Sequence, residues 1–197
     1  MHIYLIRHGE KEATKNNPGL TTTGVTQAQK TAQYLAQFPI TKIIASPYLR
    51  TQQTAGHIAQ HLNLPITTDE RLRERMDFQE FVGDRAEFFA EWSKATHDRS
   101  YVPVSGRSSA ETASQVIALL DELESETEQH SHIVLITHGG TIADFLRSIF
   151  DEQIVLPLRH TFSEGEDYRI DECSVTRITK VGPGFASHDL HYTAHLG

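Results

Sequence analysis

The chain has 197 residues, 38% hydrophobic and 22% charged, the proportions of a soluble globular protein long enough to bury a core as one domain. Its 18 Lys and Arg against 26 Asp and Glu give a formal charge of −8, which argues against nucleic acid or an anionic membrane as the main partner, yet a few arginines can still hold a small anion. The single cysteine, Cys173, excludes a disulfide framework, no apolar run nears the ~18 residues of a membrane span, and Met1-His2-Ile3 lacks a basic leader, so the expected location is the cytoplasm.

Ile3 to Ile6 is apolar and β-rich, as in an interior strand of a parallel sheet, and it ends abruptly in Arg7-His8 with a turn at Gly9. Lys11 to Asn17 is a polar loop closed by Pro18-Gly19. Val25, Ala28, Ala32 and Leu35 then follow helical spacing up to Pro39. Ile43 to Ala45 is a second strand, and the helix after Ser46-Pro47 carries Ala55, Ile58, Ala59 and Leu62 on one face, with Arg50 in its first turn. Leu64 to Thr67 reads as a third strand near the sheet edge, followed by a charged connection, Arg71 to Arg75.

Phe78, Phe81, Phe88, Phe89 and Trp92 mark a loop and short helix, and Tyr101 to Gly106 is loop. Ser108-x-x-Glu111 is a capping box opening a long helix with Ala113, Val116, Ile117 and Leu120 facing inward and an acidic end from Glu122 to Glu128. Ile133 to Ile136 repeats the first strand's design, ending in Thr137-His138-Gly139-Gly140 before a helix with Ile142, Phe145, Leu146 and Ile149 inside. Strands near Tyr168–Ile170 and Ser174–Thr179 and a last extended segment complete the chain. Strands alternating with helices predict a three-layer α/β/α sandwich with a mostly parallel central sheet. Ligands in such sheets sit at the strands' carboxyl ends, where both His8 and His138 emerge.

Five stretches in order, Arg7-His8-Gly9-Glu10, Leu20-Thr21 through Gly24 and Gln27-Ala28, Ser46-Pro47 through Arg50 and Thr54-Ala55, Leu72-Arg73-Glu74, and Thr137 to Gly140, resemble the histidine phosphatase (phosphoglycerate mutase-like) superfamily, with a weaker echo at Cys173 to Thr176. The resemblance implies that fold as one domain over 1–197, with an insertion at about 75–106 near the pocket. It implies a metal-independent phosphatase of its phosphatase branch, hydrolysing small phosphorylated substrates with no cofactor. A mutase-type phosphoryl transfer, and a weakly active regulatory relative that binds a phosphorylated ligand, are the alternatives; substrate and oligomeric state stay open.

The chemistry suits the residues. Neutral imidazole is a nucleophile near pH 7, so His8 takes the phosphoryl group as a phosphohistidine, its other nitrogen held by backbone. Arg7 and Arg50 supply forks for the phosphate oxygens; His138 donates from the opposite side as a cation or neutral donor, and the helix from Gly139-Gly140 aims backbone N–H groups at the same place. Glu74, preferred over Glu70, Glu80 and Glu87 by the Leu-Arg-Glu pattern, is the general acid and base. Glu10 orders the first loop.

Two positions depart from the family pattern. Thr14 stands where members often carry a phosphate-touching asparagine, with Asn16 and Asn17 just beyond, and Gly106-Arg107-Ser108 stands where many have Gly-Glu-Ser. Arg107 reads as surface charge or an added cation for a multiply charged substrate. The Phe78 to Trp92 aromatics read as core rather than a substrate box, though the equivalent insertion overhangs the pocket in the family. Cys173 and Arg177 are too close for a cysteine phosphatase; His57 with His61, and His188, His191 and His195, lack the pattern of a zinc site.

Overall fold

A computed structural model describes residues 1–14, 17–126, 130–162 and 165–197; Asn16 and the end of the acidic stretch, including Glu128, lie outside the described residues. The strands are β1 (His2–Arg7), β2 (Ile40–Ala45), β3 (Ile66–Thr68), β4 (His132–Thr137), β5 (Arg159–Phe162), β6 (Gly165–Tyr168), β7 (Val175–Val181) and β8 (Gly184–Tyr192). The main sheet runs β3-β2-β4-β1-β7-β8. Its first four strands are parallel, while β7 and β8 add an antiparallel edge.

The helices are α1 (Thr22–Leu35), α2 (Leu49–Leu62), α3 (Arg85–His97), α4 (Ser109–Glu126), α5 (Gly139–Ile149) and α6 (Glu152–Val155). Side chains alternate across a strand, so β1 and β4 each feed two cores. Tyr4, Ile6, Val134 and Ile136 pack with Ala32, Leu35, Ala55 and Ile58 of α1 and α2. Ile3, Leu5, Ile133 and Leu135 pack on the other face with Val116, Leu120, Ile142 and Phe145 of α4 and α5. Helices on both faces make the three layers.

Two local expectations change. The strand over Tyr168–Ile170 stops at Tyr168, because β6 pairs with β5 in a separate hairpin and the Ile170 carbonyl turns to accept from Arg7 Nη1 at 2.5 Å. The helix expected to be short within the aromatic stretch is 13 residues long, carries Phe88, Phe89 and Trp92, and opens on a full capping box, Asp84 with Glu87. At α4, Ser108 Oγ accepts from the Glu111 backbone N–H at 3.1 Å.

Candidate active site

The parallel register that sets His2 beside His132 and Arg7 beside Thr137 brings both histidine-bearing strand ends together. The His8 backbone N–H extends that ladder to the Thr137 carbonyl at 3.0 Å. His8 is 4% exposed and His138 fully buried, and their rings meet edge-on with centroids 5.3 Å apart. Sharp turning after His8 needs close backbone contact. A Cβ at Gly9 would meet the Gly24 carbonyl at 2.6 Å, and one at Gly24 would meet the Glu10 carbonyl at 2.1 Å. The Gly9 N–H donates to Thr54 Oγ1 at 3.0 Å, and Thr54 donates to the Arg50 carbonyl at 2.7 Å, tying the first motif to α2. Glu10 orders its loop, accepting from Thr21 Oγ1 at 2.6 Å.

His8 Nδ1 lies 2.8 Å from the Gly9 carbonyl. A carbonyl only accepts, so Nδ1 carries the proton and the lone pair is on Nε2. Burial, reinforced by the Arg7 and Arg50 charges, holds the His8 pKa well below the ordinary value. The ring is therefore neutral at pH 7, the nucleophilic form.

Both predicted arginines flank it. Arg50, in the first turn of α2, is 4% exposed; its Nη2 donates to Asp77 Oδ2 at 2.8 Å and to His138 Nδ1 at 3.3 Å. Arg7 gives Nη1 to the Ile170 carbonyl and Nη2 to Glu172, both at 2.5 Å. That leaves Arg7 Nε, Arg50 Nε and Arg50 Nη1 buried with no hydrogen-bond partner. Unsatisfied buried donors are costly, so three beside one neutral imidazole call for an acceptor of several oxygens.

His138 and the start of α5 differ from expectation. Arginine only donates, so His138 Nδ1 is unprotonated and Nε2 donates to Ser46 Oγ at 2.8 Å. Burial first, then Arg50, His8 and Arg7, push its pKa well below the ordinary value, which removes the cationic form. His138 stands behind His8 and supports Arg50; its ring does not line the cavity, whereas Gly139 and Gly140 do. The Gly140 N–H, expected to face phosphate, donates instead to Glu74 Oε2 at 3.1 Å.

Glu74 is half-buried against the same cavity, and its Oε1 accepts from Thr141 Oγ1 at 3.2 Å and the Arg75 N–H at 3.1 Å. Burial raises its pKa against the opposing pull of Arg75 and the two backbone N–H groups. A carboxyl whose pKa is raised beside a cavity is chemically able to donate a proton. Its neighbour Arg75 points the other way. Arg75 is 1% exposed and forks onto Asp144 of α5 at 2.9 and 3.2 Å, while Ser109 Oγ donates to the same carboxylate at 2.6 Å.

The cavity measures about 550 Å³, within the range of small-molecule sites. Phe78, Phe88, Phe89 and Trp92 line it, correcting the reading of that stretch as core alone, and Phe162 and Tyr168 join them from the unpredicted hairpin. Asp77 and Lys11 also line it and were not singled out from sequence. Periodicity carries no sign of either. Arg107 lies elsewhere: its Nη2 donates to the Arg73 carbonyl at 3.0 Å, a structural brace. Thr14 is exposed, and Asn17 Oδ1 accepts from the Leu49 N–H at 2.8 Å, capping α2. Cys173 is buried, its thiol pushed up to about 12 by burial. His188, His191 and His195 go separately to Thr179, Asp171 and Thr31, and no cluster of three metal-ligating side chains occurs among the described residues.

The model for the histidine phosphatase superfamily, branch 1, matches residues 3–191. A Proteus mirabilis protein named probable phosphoglycerate mutase GpmB is 31% identical over 192 residues, covering 90% of this chain and 84% of that one. A Yersinia pestis protein of the same name is 42% identical over 82 residues, 38% of each chain. Among solved structures, mycobacterial glucosyl-3-phosphoglycerate phosphatase superposes with a TM-score of 0.76 at 21% identity, covering 98% of this chain and 99% of its own. Phosphoserine phosphatase from Entamoeba histolytica, solved with 3-phosphoglyceric acid, gives 0.75 at 21% identity over 99% and 98%. At such identities these likenesses establish the three-layer fold.

Proposed function

The chain belongs to the histidine phosphatase superfamily, and from that premise we propose that it hydrolyses phosphomonoesters through a phosphohistidine on His8, as a single domain over 1–197 with the 75–106 insertion forming one cavity wall. The observation that carries this is the set of three buried, unpartnered guanidinium nitrogens, Arg7 Nε, Arg50 Nε and Arg50 Nη1, around a neutral imidazole whose Nδ1 proton is tied to Gly9.

In the first step His8 Nε2 attacks phosphorus and the bond to the ester oxygen breaks. The arginines stabilise the charge on the equatorial oxygens, the main service a phosphoryl-transfer site supplies. Glu74, whose burial shifts its pKa upward and so favours the acid form, gives its proton to the leaving alkoxide. In the second, Glu74 as carboxylate takes a proton from water, whose oxygen attacks phospho-His8. Inorganic phosphate leaves and His8 returns to its neutral form. His138 and Asp77 position Arg50, and Gly139 floors the phosphate site beside Arg7.

The same site could return the phosphoryl group to another oxygen, as a mutase does, provided water were kept off phospho-His8. What favours hydrolysis is that no described residue after Asp171 lines the cavity; β8 completes the sheet edge and the Ala194–Leu196 turn packs on α1 instead. A regulatory relative that merely bound phosphate would have no use for the raised Glu74 carboxyl. The partner is a small phosphorylated molecule, bound without metal, nucleic acid or membrane. Among the described residues no helix is long and apolar enough to cross a bilayer, and a lone buried thiol suits the cytoplasm.

Quenching the reaction with a labelled monoester should leave acid-labile, alkali-stable phosphate on the peptide carrying His8. With 3-phosphoglycerate and catalytic 2,3-bisphosphoglycerate, phosphate release from the preferred monoester should outpace isomerisation. Efficient isomerisation with negligible phosphate release would reverse the assignment.

A further inference from the structure

Trp92 of α3 stands beside the acid, not merely somewhere in the cavity. A Cβ at Gly140 would lie 2.6 Å from Glu74 Oε1 and 2.6 Å from Trp92 Cη2, so the carboxyl and the indole flank the same backbone atom. On the phosphatase reading above, Glu74 protonates the leaving oxygen, and whatever that oxygen carries must extend past the indole.

The indole is held rigidly for this. Its Nε1 donates to Asp167 Oδ2 at 2.6 Å, and the Arg75 guanidinium lies over the ring, 3.9 Å from its centroid. Arg75 is in turn fixed by Asp144 and Thr96. A surface whose supports are locked is a preorganised wall. Phe88 and Phe89 continue it on the same helix. At the mouth, Phe78 and Phe162 are 38% and 40% exposed although they come from separate elements, the loop before α3 and strand β5. Large aromatic groups left facing solvent around one cavity mark a ligand-binding groove.

We infer that the leaving group of the natural substrate carries a flat apolar ring, seated against Trp92 and between Phe78 and Phe162, and that this aromatic wall sets the enzyme's specificity. The phosphoryl end binds as before. The ring gains by burial of its faces and by edge or offset contact with the fixed indole.

Trp92 is the chain's one tryptophan, so its emission reports the wall directly. The probes are 2-phenylethylphosphonate and ethylphosphonate, which share the anion, cannot be hydrolysed and differ by the ring. The phenyl compound should bind about tenfold tighter, the usual worth of one well-buried ring, and should change Trp92 emission, whereas ethylphosphonate should bind with little change. Phe78→Ala and Phe162→Ala, at exposed positions where the fold should survive, should each lower that preference about threefold. The kcat/KM values for 2-phenylethyl phosphate and ethyl phosphate, both leaving as primary alkoxides, should differ by a similar factor. Equal affinities, or unchanged emission at saturating phenylethylphosphonate, would overturn the inference. Tighter, emission-changing binding without hydrolysis of either ester would instead refute the phosphatase reading and leave the wall standing. Binding of neither phosphonate refutes both.

Discussion

Strands β1 and β4 carry a histidine at each end, and the two ends of this pair of strands make opposite uses of them. At the amino end His2 and His132 stack with ring centroids 4.3 Å apart, half-buried and tied to hydroxyls, Thr179 on His2 and Tyr4 on His132. At the carboxyl end His8 and His138 meet edge-on at 5.3 Å, buried, and ringed by guanidinium groups with unpartnered nitrogens. Residue type and pairing are shared; surroundings are not. Parallel strands send their connections from carboxyl ends into helices, so Arg50 in the first turn of α2 and Gly140 in the first turn of α5 arrive only there. A histidine pair becomes a site when the topology delivers donors to it.

The contrast breaks most sharply on alanine substitution. His8→Ala should lower kcat by about 10⁴–10⁶-fold, the range seen when a catalytic nucleophile is removed. His2→Ala, on the same strand, should stay within about twofold in kcat, since it touches nothing in the cavity. Steady-state rates on one substrate settle both, and a large loss from His2→Ala would dissolve the distinction between the ends.

Glu74 tests whether the carboxyl end does proton chemistry as well as binding. Glu74→Gln should slow turnover by about 10²–10⁴-fold on alkyl phosphates, and much less on nitrophenyl phosphate, whose leaving group needs little protonation. Its pKa is raised, so wild-type phosphoryl transfer should fall as pH rises through that value and the acid is lost. On the other side, activity should fall at acid pH as His8, whose pKa is lowered, takes up a proton. The variant should lose the alkaline limb and keep the acid one. Equal losses for both leaving groups would make Glu74 a positioning residue.

Much of the carboxyl end was legible in the sequence because its signals are local. A β-rich run broken by Arg7-His8-Gly9 announces a strand end, and Arg50 follows a second strand by only a few residues, so its place in a first helical turn follows. The unbroken apolar run from Ile3 to Ile6 likewise announces a sheet covered on both faces. What escaped depends on long-range pairing. Asp77 sits in a loop with no periodicity, and its bond to Arg50 is a tertiary event. The hairpin of β5 and β6 is short, with exposed β5, and so lacks the apolar alternation that betrays a strand. Gly140's N–H could not be assigned to Glu74 rather than phosphate without knowing where the connection before α3 runs. One signal was present and unused: Asp144 lies within the apolar stripe of α5, where a carboxylate needs a buried cation.

That cation is Arg75, and the pair gauges how far the carboxyl end depends on a prop that the amino end lacks. Asp144 and Arg75 are 0% and 1% exposed, binding α5 to the segment that carries Glu74 and Trp92. Asp144→Ala strands a buried guanidinium and should cost about 3–5 kcal/mol in denaturant unfolding. Arg75→Met with Asp144→Leu should recover most of that loss, because an apolar pair removes both desolvation penalties. If the single variant costs less than about 1 kcal/mol, the pair is not what fixes the acid's segment.

The smallest effect belongs to the amino end and concerns pH. Burial lowers the His2 pKa below 6.5, with the chain's amino group, His188, His130 and Arg177 adding repulsion; burial also lowers His132, with His2, the amino group and His130 adding. A group with a depressed pKa binds fewer protons folded than unfolded, so its contribution is complete above 6.5 and is lost as pH falls from there through the folded value. Stability should therefore decline on acidification, by at most about 1.4 kcal/mol per pH unit for each group and less for rings this open to solvent. The buried carboxyl-end histidines have pKa values lowered further and should dominate the decline. His132→Gln should make the slope of unfolding free energy between neutral and mildly acid pH slightly shallower, and His8→Gln should flatten it more. If His132→Gln flattened the slope as much as His8→Gln, the two ends would be equally desolvated, and burial would no longer distinguish the carboxyl-end pair from the stacked one.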